Sequence, residues 1–275
     1  MARLSISQAW VETRERIRRD GNLYLSVALA LLVLPHTLAG LIAPDGRVGA
    51  GSGAGTPLLM LAVGLISLIG QIALVRLASG PSASVGEAIG HGARRLLPTL
   101  AALLMFGLLI ILLVVPVIMV MIAAGAIDPN AATPSGARAG SFGLALLLLL
   151  LVAIALSVRL MLILPVASAE RLGPVQILRR SWRLTAGHYG RLLGLLLLLV
   201  IAAILLVLVA AILGGIGARM AGDMEPMSLS ALIAAAFSAL AQAAFTILSS
   251  VMLARVYLQL AGGSGAEASV PSSGT

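Results

Sequence analysis

Six stretches of the chain, each 20 to 32 residues long, contain no charged side chain. A helix needs roughly 20 apolar residues to cross the hydrocarbon core of a bilayer, so each stretch is long enough for one crossing. The unbroken leucine run Leu146–Leu151 lacks the alternation of a barrel strand. The pattern therefore predicts an all-α membrane protein. Its six transmembrane helices lie at about 23–43, 56–77, 98–124, 142–166, 190–216 and 229–260.

Composition supports this class. Of 275 residues, 60% are hydrophobic and only 10% are charged, whereas soluble domains carry about 25% charged residues. A water-soluble fold and a nucleic-acid partner are excluded on that ground. Cysteine is absent, and the histidines and acidic residues are scattered along the chain. Because metal sites and catalytic sites need such groups clustered, we expect no metal, no cofactor and no enzymatic activity.

The arginines predict the orientation in the membrane. All 18 basic residues are arginine, and 15 of them lie in the N-terminal segment, the even-numbered loops and the C-terminal flank. Cytoplasmic loops carry the excess of basic residues, so both termini should be cytoplasmic. The location that this implies is a bacterial cytoplasmic (inner) membrane. Residues 1–262 should form one integral membrane domain, and residues 263–275 a flexible tail.

Three arginine-rich segments share a layout. Ser5–Asp20, Ser84–Leu97 and Gly173–Gly187 each precede an odd-numbered span. One such segment followed by two spans would make a unit, which predicts a threefold internal repeat with units at about 5–80, 84–168 and 173–262. We interpret the three segments as cytoplasmic amphipathic helices at the membrane surface. The alternative is that they are ordinary positive-inside loops that happen to be helical, and it is strongest for the second segment, whose glycines reduce its helix propensity.

The first and third segments have helical periodicity. In the first, an apolar face combines Ile6, Trp10, Thr13 and Ile17. In the third, three arginines lie on one side, and the apolar side combines Val175, Leu178, Trp182 and Thr185, widened by Ile177 and Leu184. A basic helix with an apolar face is typical of the membrane surface.

One motif leads into a leucine-rich span. It consists of Leu164-Pro165-Val166, then Ala169 to Pro174 and Ile177 to Thr185, and it ends at Gly187. It resembles the membrane domain of the glycerophosphoryl diester phosphodiesterase family and related six-span bacterial proteins of unknown function. Ile177 stands where that pattern usually has alanine. In the proteins that name the family, hydrolysis belongs to a separate soluble domain with acidic metal ligands and histidine, and we expect no counterpart of that site among the scattered acidic residues here. The resemblance therefore implies a helical membrane module without that activity.

Arginines are the main candidates for contact with lipid headgroups or another anion. Arg179, Arg180 and Arg183 are candidates for lipid phosphates or for a partner's acidic surface, and Trp10 and Trp182 are candidate interfacial anchors. Alternatively, Ser181 and Thr185 bond within their helix, Gly187 ends it, and the segment is a structural elbow. Arg76, Arg159 and Arg255 each lie near the cytoplasmic end of an even-numbered span. Either they surround an anion-binding cavity, or they snorkel to the interface.

The polar residues inside the spans include His36, Gln71 and Gln242. Helix packing is the simpler reading of these side chains, and a pathway through the bundle is the other. Glu170 either pairs with Arg171 or Arg183, or it interacts favourably with the positive end of the helix that starts near Pro174. Small residues spaced four apart predict close helix packing. They are Gly190 and Gly194, and Ala231, Ala235, Ala239 and Ala243.

These features favour a membrane protein that binds anionic lipids, or a protein partner or second copy, in envelope or membrane homeostasis. The alternative is a small transporter or channel-like permease for an anionic or amphiphilic substrate.

Overall fold

The computed structural model describes residues 5–43, 55–79, 84–123, 138–170, 172–222, 225 and 227–267. Every element in these ranges is helical. The elements are α1 (Ile6–Ala28), a π-helical turn (Leu29–Val33), α2 (Leu34–Ile42), α3 (Gly55–Ser79), α4 (Val85–Ala123), α5 (Arg138–Leu160), α6 (Ile163–Ala169), α7 (Pro174–Thr185), α8 (Tyr189–Ala221) and α9 (Leu229–Glu267).

Six helical segments in this part of the chain are long and apolar enough to cross a membrane. They are Ile6–Ile42, Gly55–Ser79, Val85–Ala123, Leu146–Ala169, Tyr189–Ala221 and Leu229–Gly262. The predicted all-α architecture with six such helices is confirmed. The segments extend past most of the predicted spans, because hydropathy marks the apolar part of a helix and not its charged turns.

The first amphipathic segment is not a separate helix. It continues through α1, the π-helical turn and α2 as one segment, bent at Asp20, whose φ of −111° and ψ of 17° are not helical. Pro35 lies two residues after the end of the π-helical turn. Proline lacks the N–H that would bond one turn back, and such sites are where π-helical turns and bends occur.

The second segment also runs into its span. α4 is one helix of 39 residues, with Pro98 and Pro116 inside it. The expected boundary between Leu97 and residue 98 is therefore absent, although the three glycines of this segment reduce its helix propensity. Gly92 has a packing reason: a Cβ there would lie 2.7 Å from the carbonyl oxygen of Ile69 on α3. A bare backbone at Gly92 lets α3 and α4 approach.

Only the third segment is a separate helix. α5 ends at Leu160, two turn residues follow, and α6 begins at Ile163. Pro165 explains the break, because its ring clashes with the carbonyl of residue 161 and its nitrogen cannot donate. α7 then begins with Pro174 at its first position, where the missing N–H costs nothing. It ends before Gly187, whose φ is +84°.

Helix α9 is the centre of the bundle. It contacts α1, α2, α3, α6 and α8. All four alanines of the predicted stripe are at most 7% exposed. A Cβ on Gly40 would lie 2.7 Å from the Cβ of Ala235, so the alanine stripe packs inside the molecule. Gly190 and Gly194 have nothing within 4 Å of such a Cβ, so their predicted close packing is not made within the described chain.

Long-range hydrogen bonds bring several helix ends together. The Ser5 backbone N–H donates to Gln259 Oε1 at 3.2 Å, Arg16 Nη2 to the Leu77 carbonyl at 3.2 Å, and His91 Nε2 lies 2.9 Å from the Ser168 carbonyl oxygen. These contacts lie at one end of the bundle, which also carries α7. We call it the arginine-rich end. α9 continues to Glu267, so it extends past Gly262 into the predicted tail, and residues 268–275 lie outside the described residues.

Candidate functional site

The break between α5 and α6 creates the first feature of the site. The last carbonyls of a helix lack partners within it, and Arg159 is the next-to-last residue of α5. Its carbonyl oxygen accepts a hydrogen bond from Ser181 Oγ at 3.0 Å and lies 3.3 Å from Thr185 Oγ1. Helix α7 is thereby docked on the end of α5. The structural elbow considered for this motif is present.

The two hydroxyls behave differently. Ser181 Oγ bonds across to α5, not within its own helix. Thr185 Oγ1 also lies 3.1 Å from the Ser181 carbonyl oxygen and 3.0 Å from that of Trp182. One hydroxyl has one proton, so Thr185 shares it among three acceptors. The interpretation that both hydroxyls bond inside α7 is correct only in part.

Helix α7 turns a different face to the protein than its sequence pattern predicts. The buried residues are Ile177, Ser181, Leu184 and Thr185. Val175 is 55% exposed and Trp182 45% exposed, so the predicted apolar side is divided. Ile177 and Leu184 pack inward with the hydroxyls, whereas Val175 and Trp182 stay on the outer surface beside the exposed Arg179 and Arg183.

Arg180 has a protein partner. Its Nε lies 3.0 Å from Glu170 Oε1, and Tyr257 donates its hydroxyl hydrogen to the same oxygen at 2.9 Å. The expected partner of Glu170 was Arg171 or Arg183; Arg180 is the one observed, and Arg171 lies outside the described residues. This network joins α7 to α9, so Arg180 serves packing first. Tyr257 gave no signal in the sequence, because it lies 87 residues from Glu170.

The side chain of Arg159 stacks on aromatic rings. Its Cζ lies 5.0 Å from the centroid of the Trp182 ring and 5.9 Å from that of Tyr189, within the range of a cation–π contact. It lies in an open groove of about 380 Å³, lined by Leu151, Val152, Ala155, Leu156, Arg159, Trp182 and Tyr189. We call this the Arg159 groove. Tyr189 was missed from the sequence; an aromatic residue at the start of a span was the available signal.

Arg255 and Arg76 have other surroundings. Arg255 Nη2 donates to the Ala78 carbonyl at 3.1 Å, so it satisfies a carbonyl at the end of α3 as Arg16 does at Leu77. It also lines a small pocket with Glu12, Glu15, Arg16 and Arg19. Arg76 is exposed on α3. The three arginines considered as a ring thus lie in three different environments.

The polar residues of the spans are also separated. His36 Nδ1 lies 2.9 Å from the Leu32 carbonyl oxygen and 3.5 Å from Ser67 Oγ, which fits the packing interpretation. Gln71 is partly buried on α3. Gln242 is exposed and lines a groove between α8 and α9. Among the described residues, no group of three or more histidine, cysteine or acidic side chains is placed to hold a metal ion.

The fold and this elbow define a helical multi-pass membrane protein. The chain belongs to the family described as a domain of unknown function (DUF7847), whose model matches residues 4–260. The match includes the first five helical segments, the elbow and all but the last two residues of the sixth segment. No curated protein and no solved structure matches the chain. The resemblance of residues 164–187 to the glycerophosphoryl diester phosphodiesterase membrane domain stays a prediction.

Proposed function

We propose that this protein binds anionic lipids through its arginine-rich end and acts, without catalysis, in membrane or envelope homeostasis. The observation that carries the proposal is the pairing of exposed arginines with exposed tryptophans on two helices at that end. Trp10 on α1 and Trp182 on α7 are each 45% exposed. Exposed arginines accompany them, namely Arg14, Arg18 and Arg19 on α1 and Arg179 and Arg183 on α7.

The proposed setting is a bacterial inner membrane with both termini in the cytoplasm. Juxtamembrane arginines are attracted to an anionic leaflet by about 1 kcal/mol each, and tryptophan favours the membrane–water interface. The opposite end has fewer described arginines, with Arg219 exposed on the last turn of α8. This asymmetry supports the orientation that the loop arginines predict.

The threefold repeat belongs to the same proposal, and so does the location of the arginine-rich segment of each unit at the membrane surface. The support is that Ser5, His91 and α7 all lie at the arginine-rich end. Ser5 and α7 each precede a membrane-spanning segment, and His91 lies near the start of another. The bend at Asp20 and the separation of α7 support surface helices in the first and third units. Helix α4 is unbroken between the second segment and its span, which offers no such support in the second unit. A permease stays the alternative function.

The proposal is tested by the double variant Arg179→Gln/Arg183→Gln, which spares Arg180 because of its bond to Glu170. Binding of phosphatidylglycerol and phosphatidylcholine to the purified protein is measured by native mass spectrometry. Loss of two attractions of about 1 kcal/mol should weaken phosphatidylglycerol binding by up to about thirtyfold, with phosphatidylcholine binding unchanged.

The matched control is Arg219→Gln, which removes one exposed arginine at the opposite end. We expect a change of no more than about fivefold. Unchanged phosphatidylglycerol binding in the double variant would show that the arginines of α7 are not a lipid-binding surface.

A further inference from the structure

The Arg159 groove combines one guanidinium with a long apolar wall. Leu151, Val152, Ala155 and Leu156 line it on α5, and the rings of Trp182 and Tyr189 flank its charged end. Leu151 and Arg159 are eight residues apart, which corresponds to about 12 Å along the helix at 1.5 Å per residue. The groove therefore offers a charge at one end and a hydrocarbon surface along the rest.

The guanidinium of Arg159 lacks an anionic partner in the described part of the chain. Its contacts there are the two rings, which face the cation but accept none of its five N–H groups in the plane. The nearest candidate carboxylate by sequence, Glu170, already accepts from Arg180 and Tyr257. A charged group at the end of an apolar span requires a counter-charge or water, and a bidentate oxyanion matches the guanidinium geometry.

We propose that the Arg159 groove binds one anionic phospholipid, with its phosphate on the Arg159 guanidinium and an acyl chain along α5. This inference rests on the proposed function and names the specific site within it. Charge complementarity selects the phosphate, and the apolar wall selects a lipid over a soluble anion. Exposed Arg183, next to Trp182 in the chain, adds positive charge near the same end.

Only two tryptophans occur in the chain, Trp10 and Trp182, and this makes the site directly observable. In a Trp10→Phe variant, Trp182 is the sole indole, and it flanks the groove. Lipids with brominated acyl chains quench indole fluorescence on contact. The protein is placed in phosphatidylcholine nanodiscs that contain brominated phosphatidylglycerol or brominated phosphatidylcholine at matched mole fractions.

We expect half-maximal quenching at about fivefold lower mole fraction for brominated phosphatidylglycerol than for brominated phosphatidylcholine. Arg159→Gln should remove this preference. The elbow should survive that change, because Ser181 and Thr185 bond to the backbone carbonyl of Arg159 and not to its side chain. Equal quenching by the two lipids in the Trp10→Phe protein would overturn the site, and this comparison needs no change in the groove.

The control is Arg76→Gln, which removes an exposed arginine from the end of another span. It should keep the preference; an equal loss would assign the effect to overall charge and overturn the specific site while leaving the proposed function standing. Excess inorganic phosphate should leave quenching unchanged, and relief of quenching by phosphate would show a soluble anion in place of a lipid. Failure of the proposed function is distinguished from failure of this site by a different measurement, which is total lipid binding in the Arg179→Gln/Arg183→Gln variant.

Discussion

At the scale of single residues, the motif around Trp182 combines two tasks in one helix turn. Ser181 and Thr185 satisfy the Arg159 carbonyl on the inner face of α7, while Trp182 stacks on the Arg159 side chain from the outer face. One arginine thus receives its backbone partner and its side-chain partner from adjacent positions of the same helix. The hydroxyls fix where the helix docks, and the indole then defines the end of the groove.

A serine substitution tests the docking role. Ser181→Ala should lower the free energy of unfolding by about 1 kcal/mol, because it removes a buried donor and leaves a carbonyl with the longer Thr185 contact alone. Thermal unfolding in detergent measures the change. Ser26→Ala is the matched control, since its hydroxyl is exposed and bonds one turn back within α1; we expect a change within about 0.5 kcal/mol. Equal stability of Ser181→Ala and wild type would refute the docking role.

At the scale of helices, glycine decides how closely α3 and α4 cross. A Cβ at Gly92 would lie 2.7 Å from the Ile69 carbonyl oxygen and 3.2 Å from its Cγ2. Backbone cannot rotate away as a side chain can, so the helices themselves would have to separate. Gly90, two residues earlier in the same helix, has nothing within 4 Å of such a Cβ.

This pair makes an internally controlled prediction. Gly92→Ala should destabilise the protein by about 1–3 kcal/mol through overpacking. Gly90→Ala should be neutral or stabilise it by up to about 1 kcal/mol, because alanine favours a helix over glycine. Both changes are measured by thermal unfolding under the same detergent conditions. Similar effects from the two substitutions would contradict the close crossing at Gly92.

The sequence predicted the six spans, because charge-free runs of sufficient length have few alternatives in a membrane protein. It did not predict where the helices bend or join. The close approach of α3 and α4 depends on Gly92, and the end of α5 depends on Pro165, which the hydropathy pattern includes within the span. The expected pairing of Glu170 was wrong in its partner, because Arg180 reaches it only once α7 folds back toward α9.

The candidate site was predictable only in its residue types. Arginine and tryptophan at span ends indicated an interface, but the stacking of Arg159 on Trp182 and Tyr189 depends on the angle at which α7 leaves the break. Similarly, Arg255 and Arg159 occupy equivalent positions in the sequence, each near the cytoplasmic end of an even-numbered predicted span. The role of Arg255 at the end of α3 follows from the approach of α9 to that helix, which no local pattern encodes.

At the scale of the whole molecule, packing is concentrated at the arginine-rich end. The core cluster that contains Ala9, Val158, Ile177 and Leu192 gathers the ends of α1, α5, α7, α8 and α9 there. In α4 the buried residues are Ala88, Gly92, Thr99, Ala102 and Met121, so most of its distal half faces outward. An apolar helix exposed in this way is suited to contact with lipid chains. The arginine-rich end is therefore the more tightly packed end of the bundle, and the distal half of α4 offers its surface to lipid chains.

We propose above that the chain crosses the membrane six times and that its arginine-rich end faces the cytoplasm. The chain has no cysteine, so single cysteines can be introduced at the exposed positions Gln8, Ala186 and Glu225. A membrane-impermeant maleimide is applied to spheroplasts of an expressing bacterium, before and after permeabilisation. We predict that Glu225→Cys is labelled in intact spheroplasts, and that Gln8→Cys and Ala186→Cys are labelled only after permeabilisation. Labelling of Gln8→Cys or Ala186→Cys in intact spheroplasts would contradict the account.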